Sequence, residues 1–350
     1  MANEAQMNVT SVGDVSTITK TIWSERLNYE AINKMQWIKL AGPEGSGMPF
    51  IVKSELWTQD GDTVKMRRFK ALTGAAQTGR LRGNEEKLVP QVLAVSPTLK
   101  RIATAEVALV PTQTGINYKE LVVRQLGERM AQITDESVWA VAQATATAGF
   151  SGVAPTRLWA HGATGYADID AADIFSITEL LKMRERLEEN KATPVGGEDG
   201  YYVCLLHTRQ AYDLSNDSKW REYQEHADVR GLENWLYQGG KPYPFIGDPK
   251  IFGYFEGIAV MKTGACPLAN STGSPVIKTA CAVMVGQDAL CRGVGAYVTE
   301  EGEEYDGVKF LEQLDDYQNE HGTGAAYVFI DKILTSEYLV QCVSAAVQPT

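Results

Sequence analysis

The sequence predicts an α+β fold, and three observations support this prediction. Residues 117–148 carry apolar side chains at spacings of three and four, which is typical of one long helix. Residues 171–290 mix helical and strand patterns, which indicates an inserted compact domain. Strand patterns recur in 51–115 and in 291–350. We therefore expect the N- and C-terminal parts of the chain to share one domain beside the long helix.

The composition is that of a globular protein with an acidic balance. The chain has 350 residues, of which 44% are hydrophobic, and its formal net charge is −11. Proteins that grip nucleic acid usually carry a basic face, because counterion release drives that binding. The charge therefore argues against a nucleic-acid-binding protein. The sequence has no run of about 18 apolar residues, and residues 1–20 lack a signal-peptide pattern, so we expect no membrane partner.

Residues 1–50 predict an extended N-terminal arm that contains one short helical piece. Trp23, Leu27, Ile32 and Trp37 are scattered apolar positions, too few to form a core of their own. Apolar side chains outside a domain need a partner surface. We expect Trp23 and Trp37 to contact another subunit.

Residues 51–115 predict a long hairpin with flanking strands. Apolar residues at 64–69 indicate one strand, and Val89 to Leu99 indicate the return strand. The segment between them, 73–84, is rich in glycine and polar residues and has little to bury. Because an isolated hairpin is marginal in water, we expect this one to lie on another surface.

Two blocks of opposite charge stand out in the sequence. Residues 65–101 hold nine Lys/Arg and two Glu, a net charge of 9 − 2 = +7, whereas residues 300–320 hold nine acids and one lysine, a net charge of 1 − 9 = −8. Opposite blocks indicate pairing within or between subunits; the alternative is two solvated faces that never meet. The predicted intersubunit cations are Lys65, Arg67, Arg68, Lys70, Arg80, Arg82 and Lys87. The predicted acidic counter-surface consists of Glu300, Glu301, Glu303, Glu304 and Asp306.

The segment 116–170 contains the long helix and a loop. Val122, Leu126 and Met130 form one apolar stripe, and alternate alanines extend the pattern to Gly149, which predicts a helix over 117–148. A helix of about 30 residues is about 45 Å long. We expect this helix to act as a backbone for the molecule.

The inserted domain, 171–290, begins with a second predicted helix over 171–190. Ser176 to Glu179 resembles a capping box. A buried strand over 201–206 and short helices over 207–214 and 218–227 follow. The later predicted strands are 257–262 and 279–285 in this domain, and 294–299, 325–334 and 338–347 in the closing segment, 291–350.

A search for catalytic or metal-binding motifs gives little. The sequence lacks HExxH, GxSxG and P-loop patterns, and no two of its five cysteines have CxxC spacing. His207 follows the buried strand at 201–206 and could form a hydrolase site with Asp213, but a structural histidine that bonds backbone groups at the helix start is favoured. We expect buried thiols and a structural protein, with no catalytic residues, metal or cofactor.

Local motifs resemble a known family. Residues 72–79 (Leu-Thr-Gly-Ala-Ala-Gln-Thr-Gly) and 81–86 (Leu-Arg-Gly-Asn-Glu-Glu) resemble the E-loop signature of the coliphage N-four-like major capsid family. The segment 203–220 resembles a stretch of that family's A-domain, and 253–260 resembles its following strand. The order of parts resembles the Hong Kong 97-like capsid fold of tailed phages. The resemblance covers most of the chain, from about residue 60 to 335.

The resemblance implies a division of the chain and a function. Residues 1–50 would be the N-arm, 51–115 the E-loop with its flanking strands, 116–170 the P-domain with its spine helix, 171–290 the A-domain and 291–350 the returning P-domain strands. Copies would form hexamers and pentamers of an icosahedral head that encloses double-stranded DNA without gripping it. Portal, scaffold or decoration proteins of the virion would be partners, and assembly would take place in the host bacterial cytoplasm.

Two other functions stay open at the level of sequence. The same fold builds encapsulin-like compartment shells, so a compartment shell protein is an alternative. A hydrolase centred on His207 and Asp213 is a less favoured one, because no nucleophile pattern accompanies these two residues.

Overall fold

The computed structural model describes most of the chain. The described residues are 23–32, 34–56, 63–70, 78, 85–107, 118–197, 200–229, 251–295, 297–298, 304–305, 307–315 and 320–347. Among them, no helix is both long enough and apolar enough to cross a bilayer.

Five α-helices and seventeen strands are seen in these residues. The helices are α1 (residues 23–32), α2 (Tyr118–Ala142), α3 (Ile177–Glu189), α4 (Thr208–Asn216) and α5 (Ser218–Val229). The strands are β1 (Ala41–Gly42), β2 (Phe50–Leu56), β3 (Val64–Phe69), β4 (Pro90–Val95), β5 (Thr98–Val107), β6 (Thr156–Trp159), β7 (Tyr202–His207), β8 (Ile251–Phe255), β9 (Ile258–Thr263), β10 (Leu268–Asn270), β11 (Lys278–Val285), β12 (Leu290–Gly295), β13 (Tyr297–Val298), β14 (Glu304–Tyr305), β15 (Lys309–Asp315), β16 (Glu320–Ile333) and β17 (Leu339–Ala345).

One large sheet joins the two ends of the chain. Its neighbouring strands are β1, β2, β12, β16 and β15 in that order, and β5 pairs with the other side of β16. The β2–β12 pair is parallel, whereas β16 is antiparallel to β12, β15 and β5. Strands from the N- and C-terminal parts of the chain therefore share one sheet. That these parts form one domain remains a prediction.

The second large sheet holds most strands of the inserted segment. Its order is β6, β17, β11, β7, β9 and β8, with β10 paired to β11. The last strand, β17, lies between β6 and β11 rather than in the first sheet. The closing segment 291–350 thus contributes to both sheets. The division of the chain into five segments remains a prediction.

The long helix is shorter than its sequence pattern predicts. It ends at Ala142 instead of continuing to residue 148. Gln341 of β17 donates its amide to the carbonyls of Ala142 and Ala144 at 2.8 Å each, so these carbonyls are satisfied by a side chain and not by a further helical turn. The pattern of alternating alanines could not predict this contact, because Gln341 is distant in sequence.

The predicted capping box at Ser176 does not form. Ser176 occupies the N-cap position of α3 but makes no side-chain capping bond. The Glu179 carboxylate instead accepts from the backbone N–H of His161 at 3.4 Å and from Lys182 at 3.0 Å. The N–H of Ile177 is satisfied by Asp217, at 3.1 Å. A tertiary contact has replaced the local one.

The predicted hairpin strands are confirmed with one correction. Strands β3 and β4 pair antiparallel, from Val64 opposite Val95 to Phe69 opposite Pro90. The return strand stops at Val95, however, and Leu99 belongs to β5, which pairs with β16. Pro97 lies between the two strands and lacks a backbone donor, which is consistent with a break there.

Apolar cores lie on both faces of each large sheet. Trp37, Phe50 and Trp139 are buried between the two sheets, with the Trp37 ring 5.3 Å from that of Trp139. Helices α3, α4 and α5 cover the far face of the second sheet. Helices α1 and α2 cover the first sheet. The five cysteines are free and buried, which confirms the prediction of buried thiols.

Candidate assembly surface

The root of the hairpin is anchored in the chain's own core. Alternate residues of β3, Val64 and Met66, are buried together with Val95 of β4. They pack against Ile51 of β2 and Cys291 of β12. The period-two pattern of a strand sends these side chains to one face. The opposite face of the hairpin is therefore left to solvent or to a partner.

Two basic side chains, Lys53 of β2 and Arg68 of β3, hold the base of the β3–β4 hairpin through polar contacts. Lys53 donates to Glu44 at 2.9 Å and to the carbonyl of Lys65 at 3.1 Å. Arg68 donates to the hydroxyl of Thr335 at 2.9 Å, and its guanidinium lies 5.5 Å from the centre of the Phe150 ring. Arg68 is half-buried. Of the predicted intersubunit cations, Arg68 thus uses its charge inside its own chain.

The outer face of the hairpin is both basic and apolar. Lys65 and Arg67 are exposed on β3, and the next residue on this face, Phe69, is 63% exposed. Val92, opposite Arg67, is 55% exposed. The predicted cations Lys70 and Lys87, beyond the ends of the two strands, are also exposed. The sequence prediction named the cations but missed the apolar residues. The spacing of two residues from Lys65 to Arg67 to Phe69 was a signal that Phe69 lies on the same face.

The N-terminal arm contributes a helix that lies along α2. Leu27 and Ala31 of α1 are buried against the apolar face of α2. A Cβ at Gly127 would lie 3.0 Å from Cβ of Glu30, so glycine allows this close approach. Ion pairs Arg26–Glu120 and Lys34–Glu128 flank the crossing. Lys34 holds the pKa of the Glu128 carboxyl below its usual value.

The two tryptophans predicted to contact another subunit differ in exposure. Trp23 is half-buried, with its ring 6.5 Å from that of Phe310 and the Arg26 guanidinium 5.7 Å from it. Trp37 is 1% exposed and belongs to the core of its own chain. Asp135 of α2 holds this part of the arm, because its carboxylate accepts from the N–H of Gln36 at 3.0 Å. Trp37 therefore has almost no surface to offer a neighbour.

The remaining predicted contact residues lie outside the described part of the chain. These are Arg80 and Arg82 of the hairpin tip, and Glu300, Glu301, Glu303 and Asp306 of the acidic block. Glu304 lies in β14, whose backbone pairs with β13. Their role remains a prediction.

His207 performs a structural task at the start of α4. Its ring Nδ1 accepts from the N–H of Arg209 at 3.1 Å, and the amide of Gln210 accepts from the N–H of His207 at 3.2 Å. The capping role expected from the sequence is confirmed. Burial lowers the pKa of His207, which favours the neutral ring that accepts this bond. Burial also raises the pKa of Asp213, further along α4, to about 6.

The described residues hold no group of three or more His, Cys, Asp and Glu that could bind a metal ion. Burial raises the pKa of the Cys291 thiol to about 12 and that of Cys266 to about 12. Such thiols are poor nucleophiles at neutral pH, since the thiolate is the reactive form.

The comparison with protein families decides the identity. The family model described as phage capsid protein matches residues 9–329 of this chain. The chain belongs to the phage capsid protein family. A search of curated proteins found no match to this capsid protein.

Solved capsid structures share the fold at low sequence identity. The capsid of Ralstonia phage GP4 is 18% identical over 99% of this chain and 100% of its own, with a TM-score of 0.71. The cyanophage Pam1 capsid is 15% identical over 91% of this chain and 94% of its own, with a TM-score of 0.68. The head of Helicobacter pylori bacteriophage KHP40 is 12% identical over 90% and 91%, with a TM-score of 0.59. The Hong Kong 97-like fold predicted for this capsid protein is confirmed.

Proposed function

We propose that this capsid protein forms hexamers and pentamers that close an icosahedral phage head around double-stranded DNA. The observation that carries the proposal is the hairpin: its inner face is anchored by Val64 and Met66, while its outer face leaves Phe69 63% exposed and Val92 55% exposed. Large exposed apolar side chains grouped with cations are typical of a surface that a partner covers. In a capsid built from many copies, the first candidate for that partner is another copy.

The basic outer face is proposed to pack on an acidic surface of a neighbouring copy. Lys65, Arg67, Lys70 and Lys87 supply positive charge from an exposed position. The rest of the chain outweighs this charge, since the total is −11. Complementary charge selects the partner surface and its register, and apolar contacts at the centre add affinity.

The capsid protein is proposed to enclose the DNA without binding it tightly. A chain with a net charge of −11 repels a polyanion on average. Condensed DNA inside a shell carries its own counterions, so packing does not require a basic lining. Portal, scaffold or decoration proteins are proposed as further virion partners, and the host bacterial cytoplasm as the place of assembly.

The subunit is proposed to work without catalysis. His207, the residue best placed in the sequence for chemistry, commits its ring Nδ1 to the N–H of Arg209. A ring nitrogen that accepts a capping bond is not free to take a proton from a nucleophile. Its replacement by asparagine, a preferred N-cap residue, should preserve assembly.

Light scattering and electron microscopy of the purified full-length protein test the proposal. The expected result is a set of closed shells or ring-shaped capsomers with six-fold and five-fold members. A protein that stays monomeric, both alone and when co-expressed with the other virion proteins, would overturn the proposal. Open sheets or filaments without rings would overturn it as well, because they require a different symmetry.

A further inference from the structure

Within the part of the chain that the structure describes, strand β5 is an edge strand of the first sheet. It pairs with β16 over ten residues, from Thr98 opposite Phe329 to Val107 opposite Glu320. On its other side, no described strand lies next to it. A long edge strand presents a row of backbone donors and acceptors to any extended chain that comes near.

The neighbouring strands show which backbone groups of β5 point outward. On β15, Phe310 uses its N–H to bond the Ser24 hydroxyl at 3.1 Å and not β16. Phe310 lies opposite Ala325, so these two residues form a non-hydrogen-bonded pair. The backbone groups of Ala325 therefore point to the other side of β16, where its partner is Ile102 of β5. Ile102 thus faces β16, and the residues on either side of it face away.

This alternation assigns four residues to the open edge. They are Leu99, Arg101, Ala103 and Ala105, and all four side chains are exposed. No backbone bond from these residues to another described residue is seen on the outward side. The edge carries no proline and no bulge in the β5–β16 ladder, two devices that monomeric proteins use to block such edges.

We propose that two copies of the capsid protein join their β5 edges as an antiparallel pair about a two-fold axis. The pairing places Ala103 opposite Ala103 of the second copy and Arg101 opposite Ala105. A two-fold arrangement is self-complementary, because the same residues serve on both sides. The inference rests on the self-assembly proposed above and adds a specific contact to it.

Charge selects this register over its neighbour. The two strands can form backbone hydrogen bonds only where an outward-facing residue of one copy lies opposite an outward-facing residue of the other. Two positions of the two-fold axis meet this condition and pair equally many residues: one passes through Ile102 and the other through Ala103. Centring on Ile102 would place the two Arg101 residues diagonally on one face, where like charges repel. Centring on Ala103 separates them and places Lys100 opposite Glu106 on both sides of the axis. Opposite charges in facing positions stabilise an antiparallel pair.

A symmetric disulfide tests the register directly. Ala103→Cys would put two thiols in one facing pair, with Cα atoms about 5.5 Å apart, within the range of a disulfide. The five native cysteines are buried, so the background is low. The matched control is Ala105→Cys, whose copies would lie about 14 Å apart along the strands. Mild oxidation of assembled protein should yield a reducible dimer as the main species for Ala103→Cys and not for Ala105→Cys.

A charge exchange supplies a second measurement. Lys100→Glu would place two glutamates opposite each other and should lower the yield of assembled particles several-fold. The double variant Lys100→Glu/Glu106→Lys should restore the yield. Equal dimer formation at both cysteine positions, no dimer at position 103, or no rescue by the exchange would each overturn the inference. If the unmodified protein assembles normally in these experiments, the proposed capsid assembly stands even when the β5 contact fails.

Discussion

Arg292 of β12 and Asp331 of β16 face each other in the ladder and form a buried bidentate ion pair. Arg292 Nε lies 2.7 Å from one carboxylate oxygen and Nη2 lies 3.1 Å from the other. Both side chains are at most 2% exposed. The guanidinium also donates to the carbonyl of Thr134 on α2 at 3.3 Å and lies 4.7 Å from the Phe329 ring centre. The pair thus connects the first sheet to the long helix.

Removal of one partner of this pair should destabilise the subunit strongly. Arg292→Met would leave the Asp331 carboxylate buried without its counter-charge, which typically costs about 3–5 kcal/mol. Urea unfolding of the unassembled subunit measures the change. The double variant Arg292→Met/Asp331→Leu is the control, and it should be more stable than either single variant. Additive losses in the double variant would contradict the view that the pair acts as one unit.

Gly127 should be required for the arm helix to dock. A side chain there meets Glu30 and the backbone of Ala31, 3.0 and 3.4 Å from the Cβ position. Gly127→Leu should therefore displace α1 from α2 and cost about 1–3 kcal/mol. Limited proteolysis should then cleave near residues 23–32 much faster.

The exposed residue Gln125 on the same helix provides the matched control. Gln125→Leu adds a leucine to α2 away from α1 and should leave the cleavage rate unchanged. If both leucine variants behave alike, the close approach at Gly127 has no energetic importance.

Asp213 should make the subunit more stable when its carboxyl is neutral. One carboxylate oxygen is buried and has no hydrogen-bond partner among the described residues, and burial raises the pKa to about 6 from a usual 3.8. Between these values the folded state keeps the proton that the unfolded state releases. The stabilising protonation is therefore complete below about pH 3.8 and is lost as the pH rises through about 6.

Asp213→Asn removes this titration. The variant should gain about 1 kcal/mol at pH 8, a value reduced for partial solvent screening, and the gain should vanish near pH 4. Thermal unfolding at both values measures the difference. Burial also lowers the pKa of His207, but this residue is present in both proteins, so its contribution to the difference cancels. A gain that is the same at both pH values would show that the carboxyl charge is not its cause.

The outer face of the hairpin should matter for assembly and not for folding. Lys65→Glu/Arg67→Glu reverses two exposed charges on β3 and should abolish or greatly reduce particle formation, while the melting temperature of the subunit changes little. The control Lys219→Glu/Lys278→Glu reverses two exposed lysines away from the hairpin. Equal losses of particles in both variants would mean that net charge alone governs assembly.

Sequence patterns predicted the elements that depend on local periodicity. The β3–β4 hairpin, the buried strand β7 and the start of α2 all follow from the spacing of apolar residues such as Val64, Met66 and Val122. The patterns were wrong where a distant residue intervenes. Gln341 ends α2 at Ala142, and the backbone N–H of His161 donates to the Glu179 carboxylate that the capping box would need.

Some features of the candidate assembly surface could likewise be predicted from the sequence, and others depend on tertiary structure. The charge excess at 65–101 is a property of composition and is visible in the sequence. Which of those cations face outward depends on strand pairing, and this separates exposed Lys65 and Arg67 from Arg68, which bonds Thr335. Burial likewise separates half-buried Trp23 from Trp37 at 1% exposure.

By itself, the sequence determined that this chain is a capsid protein of α+β fold with a long helix and a basic hairpin, because periodicity, charge and motif order are local or cumulative properties. Only the tertiary structure decided that β17 returns to the second sheet, that Arg292 and Asp331 meet, and that β5 has no second neighbour among the described strands. These features depend on which distant segments become neighbours. The free energy of burial and strand pairing over the whole chain determines which segments become neighbours, and this free energy cannot be read from a short sequence pattern.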